Sequence, residues 1–286
     1  MDVRAALKVL TENGSEQTSK IYGRQGVRGA MFGVSKEVLD KLAQEIGRDH
    51  DVACALWNSG IHEARILATL TADPVRLSAK DLDAWVRALD NYVIAEAFAR
   101  MASLSALAIS KADEWINSKE EWISCAGWTL VYSQVVADGG VPIEQTRAET
   151  ECPRLLARIE REIHAAPNRT RYAMNLALIG IGLRSNALEQ KAIAVARRIG
   201  PVAVDHGLTD GKTPDAASYI PKARKYAAFR QAKLPRRVAP DVAVMTPIAA
   251  ASKTKPALKP AAKSAPKMAP SPALKRTASK KVPVRR

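Results

Sequence analysis

The chain has 286 residues, of which 47% are hydrophobic and 26% are charged, values typical of a globular protein with one large or two ordinary domains. Its net charge of +15 is uneven: residues 233–286 hold fourteen Lys/Arg and one acid, which leaves about +2 for residues 1–232. Three cysteines without metal-ligand spacing exclude a fully paired disulfide framework, and no apolar run reaches the ~20 residues of a membrane span. We therefore expect a cytoplasmic monomer without metal, cofactor or membrane contact.

Residues 1–232 predict one helix after another, and no segment alternates with the period of a strand. An amphipathic helix is expected at 1–14. The next, at 35–47, places Val38, Leu39, Leu42 and Ile46 on one stripe, with Ser35 as N-cap and Gly47 as C-cap. Further helices are predicted at 49–58, 61–72, 78–88, 91–103, 105–117, 119–138, 153–165, 168–184 and 187–199.

Short loops between helices of this length make successive helices antiparallel neighbours, and a run of such pairs favours an all-α solenoid with an extended concave surface. Two stretches depart from the pattern. Residues 23–33 carry four glycines together with Arg24 and Arg28, which predicts a loop whose backbone can approach a partner. Residues 202–220 predict a loop followed by a short helix that starts near Thr213 and Pro214.

The C-terminal segment, 233–286, has a composition of its own. It contains nine of the sixteen prolines and none of the fifteen glycines, in Lys-Pro-Ala repeats such as those at Lys255 and Lys259. Dense proline and an apolar content of mostly alanine predict a disordered tail. Lys255, Lys259 and Lys263 are the tail residues expected to neutralise DNA phosphates. A purely solubilising extension is the alternative.

Two stretches of the body resemble one known family. LWNSGIHEAR at 56–65 and VDHGLTDGKTPDAASYI at 204–220 are similar to segments of the DNA alkylation repair proteins, and the resemblance covers roughly residues 15–226. It implies a HEAT-like repeat fold that binds duplex DNA on a cationic concave face. It also implies excision of cationic alkylated purines by members that are DNA glycosylases.

The resemblance places a candidate catalytic pair on the helix at 91–103. Active members carry a D-x-W-D-x-x-D motif, and here Tyr92 stands at the Trp and Glu96 at the last Asp. The two share one helix face at i and i+4. An aromatic face attracts a cationic base, and a carboxylate stabilises an oxocarbenium-like transition state. The alternative is an ordinary surface ion pair between Glu96 and Arg100.

Two other family positions differ. The family's Arg aligns with about Cys125, and its second aromatic with about Leu176, for which Tyr172 or Trp128 could substitute. The sequence therefore keeps the outline of the site without all of its chemistry.

Cations at loops and helix ends are candidates for a groove rim that binds DNA phosphates. Those expected to do so in the body are Arg24, Arg28, Arg65, Arg169, Arg171 and Lys212. His62 and Glu63 fit either phosphate contact or helix capping and inter-repeat pairing. The tryptophans fall on apolar stripes and predict core positions, and His206 lies on a glycine-rich loop without metal-ligand spacing.

Three functions remain open at this level. The first is a DNA alkylation repair protein, either a glycosylase with a degenerate site or a damage-binding relative, associated with the nucleoid. The second is a non-catalytic architectural DNA binder whose tail adds avidity. The third is a helical-repeat scaffold that binds other proteins.

Overall fold

The computed structural model describes residues 1–136 and 143–233, which form thirteen α-helices and no strand. The helices are α1 (Val3–Glu12), α2 (Glu16–Arg24), α3 (Lys36–Ile46), α4 (His50–Asn58), α5 (His62–Thr71), α6 (Ala79–Arg87), α7 (Tyr92–Ala102), α8 (Ala108–Trp115), α9 (Glu121–Val136), α10 (Gln145–Glu162), α11 (Asn168–Arg184), α12 (Asn186–Ile199) and α13 (Ala216–Lys233).

The helices form two layers. The odd-numbered helices from α3 to α13 pack in series, each against the next odd helix, so that α5, α7, α9 and α11 lie side by side. The even-numbered helices pack behind them, as α4 does on α5, α8 on α9 and α12 on α11. The all-α solenoid predicted from the sequence is confirmed.

The core between the layers is aromatic and aliphatic. Trp57 and Trp85 stack with ring centroids 4.3 Å apart, and Phe98 packs between Trp57 and Trp115. Trp128 is also buried, so four of the five tryptophans lie in the predicted core. Within residues 1–136 and 143–233, no helix combines the length and apolarity needed to cross a membrane.

Helix α10 differs from its prediction because it starts at Gln145 and passes through Pro153, where the sequence analysis places its first residue. Proline removes one intrahelical hydrogen bond and usually ends a helix. Here Ala148, Cys152, Leu156 and Ile159 form one fully buried stripe across the proline. Burial of this stripe offsets the lost bond.

The chain ends of the solenoid contain more helix than predicted. Residues 16–24 form α2, with Ser15 Oγ accepting the Thr18 N–H at its start, where the sequence analysis has no helix. At the other end, α13 begins at Ala216 and runs to Lys233 through Pro221, and is therefore longer than the short helix predicted. The predicted tail, residues 233–286, lies beyond the described residues except for Lys233.

Candidate nucleic-acid interface

Three odd-numbered helices begin at the same edge of the solenoid. The first residues of α7, α9 and α11 line a cleft of about 540 Å³. They contribute Asn91 and Tyr92, Glu121 and Trp122, and Asn168 and Arg169. Because unpaired N–H groups and the helix dipole make a helix N-terminus positive, three adjacent N-termini favour an anion at this edge.

The end of α2 and the loop after it form one wall of the cleft; Arg24 is the last residue of α2, and Arg28 lies on the loop. Buried Glu63 holds the far end of this loop: its Oε1 accepts the N–H of Gly33 at 2.6 Å and of Val34 at 3.1 Å, and its Oε2 accepts that of Phe32 at 3.0 Å. Gly33 has φ +79° and no room for a side chain, since a Cβ would lie 2.1 Å from the Ser15 carbonyl oxygen. Glu63 therefore acts as a structural anchor, as the capping alternative expected.

The loop between α12 and α13 forms the opposite wall. Asn168 fixes it, donating to the Asp205 carbonyl oxygen at 2.8 Å and accepting the Asp205 N–H at 2.7 Å. Next to it, Gly207 has φ +66° and approaches the α2 end so closely that a Cβ would lie 3.3 Å from the Arg24 carbonyl oxygen. The two walls thus touch across the cleft.

Tyr92 and Arg169 form the most specific contact of the cleft. The Arg169 guanidinium carbon lies 4.1 Å from the centroid of the Tyr92 ring, well within cation–π range. The Arg169 backbone N–H donates to Glu121 Oε1 at 2.6 Å, so a carboxylate from α9 caps the start of α11. This contact fixes the helix turn that carries Arg169.

A second row of side chains lies one helical turn behind the first. It consists of Glu96 on α7, Cys125 on α9 and Tyr172 on α11. Glu96 keeps solvent-exposed surface, yet the surrounding protein atoms desolvate it enough to raise the pKa of its carboxyl, while Arg169 and Arg100 act to lower that pKa. Perturbed pKa values of this kind are typical of functional sites.

The neighbours of Glu96 are themselves perturbed. Burial, with the Glu96 carboxylate second, raises the pKa of the Cys125 thiol to about 12, so this side chain is neutral. Burial and Glu96 also raise the pKa of Tyr172. Of the two aromatic residues expected as substitutes at the second aromatic position, Tyr172 is therefore the one close to Glu96, whereas Trp128 is buried with Arg158 over its ring.

The predicted DNA-binding cations separate into different environments. Arg24, Arg28 and Arg169 line the cleft, and neither Arg24 nor Arg28 forms an ion pair with any residue that the structure describes. Lys20 also lines it and was missed by the sequence analysis, because it precedes the glycine-rich loop on the unpredicted helix α2. Lys212 is exposed but does not line the cleft.

Two of the arginines predicted to contact phosphate form contacts within the protein. Arg65 is mostly buried, donates to the Ala88 carbonyl oxygen at 3.2 Å and lies over the Trp57 ring. Arg171 donates to the carbonyl oxygens of Ala203 and Ala166. These contacts favour structural roles for both. Lys255, Lys259 and Lys263 lie outside the described residues.

His206 contacts Thr213 and Tyr172. Its Nε2 lies 3.0 Å from Thr213 Oγ1, and its ring meets Tyr172 edge-on at 5.4 Å. No group of three or more His, Cys, Asp or Glu suited to a metal ion occurs in the part of the chain that the structure describes.

Comparison with known proteins identifies the family and the fold of the chain. The sequence model of the family described as DNA alkylation repair enzyme matches residues 3–220. The chain belongs to this family. Two curated relatives are the uncharacterized protein Lin0241 of Listeria innocua, 27% identical, and the uncharacterized protein Lmo0209 of Listeria monocytogenes, 28% identical. Each alignment spans 225 residues, 76% of this chain and 90% of the relative.

One solved structure resembles the fold over most of its length. It aligns with a TM-score of 0.70 and 28% identity, and the match covers 79% of this chain and 95% of that one. It is described as "A new family of proteins related to the HEAT-like repeat DNA glycosylases with affinity for branched DNA structures". The solenoid of this family member is therefore HEAT-like.

Proposed function

We propose that this protein binds DNA along its phosphate backbone at the cleft and does not excise alkylated bases. The observation that carries the proposal is the Arg169 guanidinium over the Tyr92 ring. A cationic purine would need this ring face for cation–π attraction. A resident cation covers the face and repels a second one.

The second row supports the same conclusion. Glu96 is the only carboxylate among the three residues of that row, and its pKa is raised by burial. Cys125, with which the arginine expected from the family resemblance aligns approximately, carries a neutral thiol. The Arg169 guanidinium acts on Glu96, where it lowers the pKa of the carboxyl, and a positive charge so close to the carboxylate opposes the positive charge of an oxocarbenium-like transition state.

Backbone binding is supported by the electrostatics of the cleft. The cleft is lined by four cationic side chains and only two carboxylates. The cations are Lys20, Arg24, Arg28 and Arg169, and the carboxylates are Glu121 and Asp205. The helix N-termini add to the positive potential. The HEAT-like relative with affinity for branched DNA has the same fold, and we extend DNA binding, with a preference for branched over blunt duplex DNA, to this chain.

A glycosylase is the second candidate, because Glu96 remains solvent-exposed beside Tyr92. It requires Arg169 to leave the ring. Replacement of Arg169 by alanine would then open the site and increase excision.

The test measures two properties of the same variants. Base release is followed under single-turnover conditions on duplex DNA that contains 7-methylguanine, and DNA affinity is followed by fluorescence anisotropy. We expect the wild type, Glu96→Gln and Arg169→Ala to release base only at the spontaneous rate. We expect the double variant Arg24→Gln/Arg28→Gln to bind DNA at least about tenfold more weakly, because two charge-assisted phosphate contacts are lost.

The control is Lys41→Gln, because the Lys41 ammonium is exposed on α3 and paired with Glu37. Base release above the spontaneous rate that Glu96→Gln abolishes would establish the glycosylase instead. DNA affinity that is unchanged in the Arg24/Arg28 variant would overturn the cleft as the interface. Absence of DNA affinity in the full chain would favour a protein-binding scaffold.

A further inference from the structure

Trp122 differs from the other tryptophans of this chain. Trp57 and Trp85 stack on each other, Trp115 contacts Phe98 and Lys111, and Trp128 contacts Arg158. Trp122 packs against the core with part of its surface, forms no ring or cation contact with any described residue, and lines the cleft with the part that stays exposed. The predicted core contact of Trp122 is present, and the exposed part of its ring is in addition available to a ligand in the cleft.

The size of the cleft limits what can reach Trp122. Its volume of about 540 Å³ lies in the range of small-ligand sites, roughly 300–1,000 Å³. A cleft of this volume holds a ligand about the size of one nucleotide, whereas a duplex is wider than its major groove, which alone measures roughly 12 Å. A duplex can lie on the rim, but only a single strand can enter.

The walls of the cleft keep it narrow. Gly207 meets the backbone of Arg24, and Asn168 and the Asp205 carboxylate, which accepts the Gly207 N–H at 2.7 Å, fix the loop that carries Gly207. This loop presents Leu208 with 82% of its surface exposed. An apolar side chain at the mouth of a cationic cleft can pack against a base where a duplex ends or branches.

Cations and an aromatic ring in one groove are the chemistry that binds single-stranded nucleic acid. Such sites neutralise phosphates with Lys and Arg and stack bases on aromatic rings. We propose that the cleft binds an unpaired nucleotide of DNA, with its base stacked on Trp122 and its flanking phosphates on Arg24 and Arg28. This inference rests on the proposed DNA binding and defines the feature of branched DNA that is recognised.

The test compares three ligands of equal length: a single-stranded oligothymidylate, the same strand built of abasic nucleotides, and a blunt duplex. The abasic strand keeps every phosphate and lacks every base. For Trp122→Ala in the full chain we expect oligothymidylate binding to weaken roughly 5- to 100-fold, since base stacking contributes that much per base. We expect Trp122→Ala to bind the abasic strand as tightly as the wild type does. We expect Trp122→Phe to keep most of the wild-type affinity for oligothymidylate.

Val75→Ala is the control, because Val75 is 86% exposed and does not line the cleft. Tryptophan fluorescence gives a second readout that does not depend on the folding of the alanine variant. We expect oligothymidylate to quench the wild type and to leave Trp122→Phe unquenched.

The outcomes separate this inference from the DNA binding on which it rests. Equal wild-type affinity for the thymidylate and abasic strands, or equal weakening of both by Trp122→Ala, would overturn the stacking site. Binding of the blunt duplex without the single strand would overturn it too, while leaving the proposed function intact. If the wild type binds none of the three ligands, both fail.

Discussion

His62 is a buried histidine whose ring meets Tyr22 edge-on at 4.7 Å. Neither ring nitrogen has a hydrogen-bond partner among the described residues. Burial lowers its pKa, and Arg65 acts in the same direction, although Glu63 and Asp90 oppose them. The folded protein therefore disfavours the imidazolium form.

This gives a pH dependence of stability. Below the ordinary histidine pKa of about 6.5, the unfolded chain takes up a proton that the folded chain resists. The free energy of unfolding therefore falls as pH falls from about 6.5 towards the lower pKa of the folded state. Above about pH 6.5, protonation of His62 no longer changes it. Urea unfolding at pH 5, 6, 7 and 8 measures this, with His62→Phe as the comparison. An identical pH dependence in both proteins would show that His62 does not contribute.

Residues also show the limits of prediction from sequence. Tyr92 and Glu96 could be selected because a local motif carries them. The position of Arg169 over Tyr92 could not, because that contact joins the first turns of α7 and α11 and depends on how the layers pack. Trp122 was assigned to the core by its apolar character; its position directly after the first residue of α9 was the available signal of exposure at a helix end.

At the scale of elements, the loop between α2 and α3 depends on one carboxylate. Glu63 is fully buried and accepts three backbone N–H groups of residues 32–34. Its replacement by alanine leaves three buried donors without a partner. We expect Glu63→Ala to lower the free energy of unfolding by about 3 kcal/mol or more, since each unsatisfied donor costs roughly 1–3 kcal/mol.

Glu63→Gln keeps one acceptor oxygen, and we expect it to lose less stability. Chemical denaturation measures both variants. Glu12→Ala, at an exposed ion pair on α1, is the control and should change stability by less than about 0.5 kcal/mol. A Glu63→Ala variant as stable as this control would contradict the anchoring role.

Elements were predictable where local signals determine them. The helix at 35–47 follows from its apolar stripe and its flanking serine and glycine, and the structure has α3 there. The prediction started α10 too late because Pro153 is a strong local helix-breaking signal. The helix continues across Pro153 because its apolar stripe is buried against other helices, which the local sequence does not show. Helix α2 has one buried residue, Tyr22, and its sequence is too polar to show the apolar stripe by which the other helices were predicted.

For the whole molecule, charge is divided between the cleft and the C-terminal segment. Phosphate neutralisation gives a log–log salt slope of about −0.9 per contact on duplex DNA. We expect Lys255→Gln/Lys259→Gln/Lys263→Gln to reduce the slope by up to about 2.7 and to weaken binding to blunt and branched DNA equally. In contrast, we expect Arg24→Gln/Arg28→Gln to weaken binding to branched DNA more than binding to blunt DNA, and so to reduce the preference for branched DNA.

Anisotropy titrations from 50 to 200 mM salt measure both effects, and a tail variant with an unchanged slope would show that these lysines do not contact DNA. The division itself was predictable from composition, since residues 1–232 carry only about +2. Where the few cations of the body gather was not, because Lys20, Arg28 and Arg169 meet only after the solenoid folds.

The contact between Gly207 and the Arg24 backbone has a consequence for cooperativity. Helical-repeat proteins are quasi-one-dimensional, and their terminal repeats can fray independently because each repeat touches only its neighbours. Here the first and last thirds of the described chain meet directly and share one cleft. Loss of either end therefore removes support from the other, so that fraying at one terminus is coupled to fraying at the opposite one.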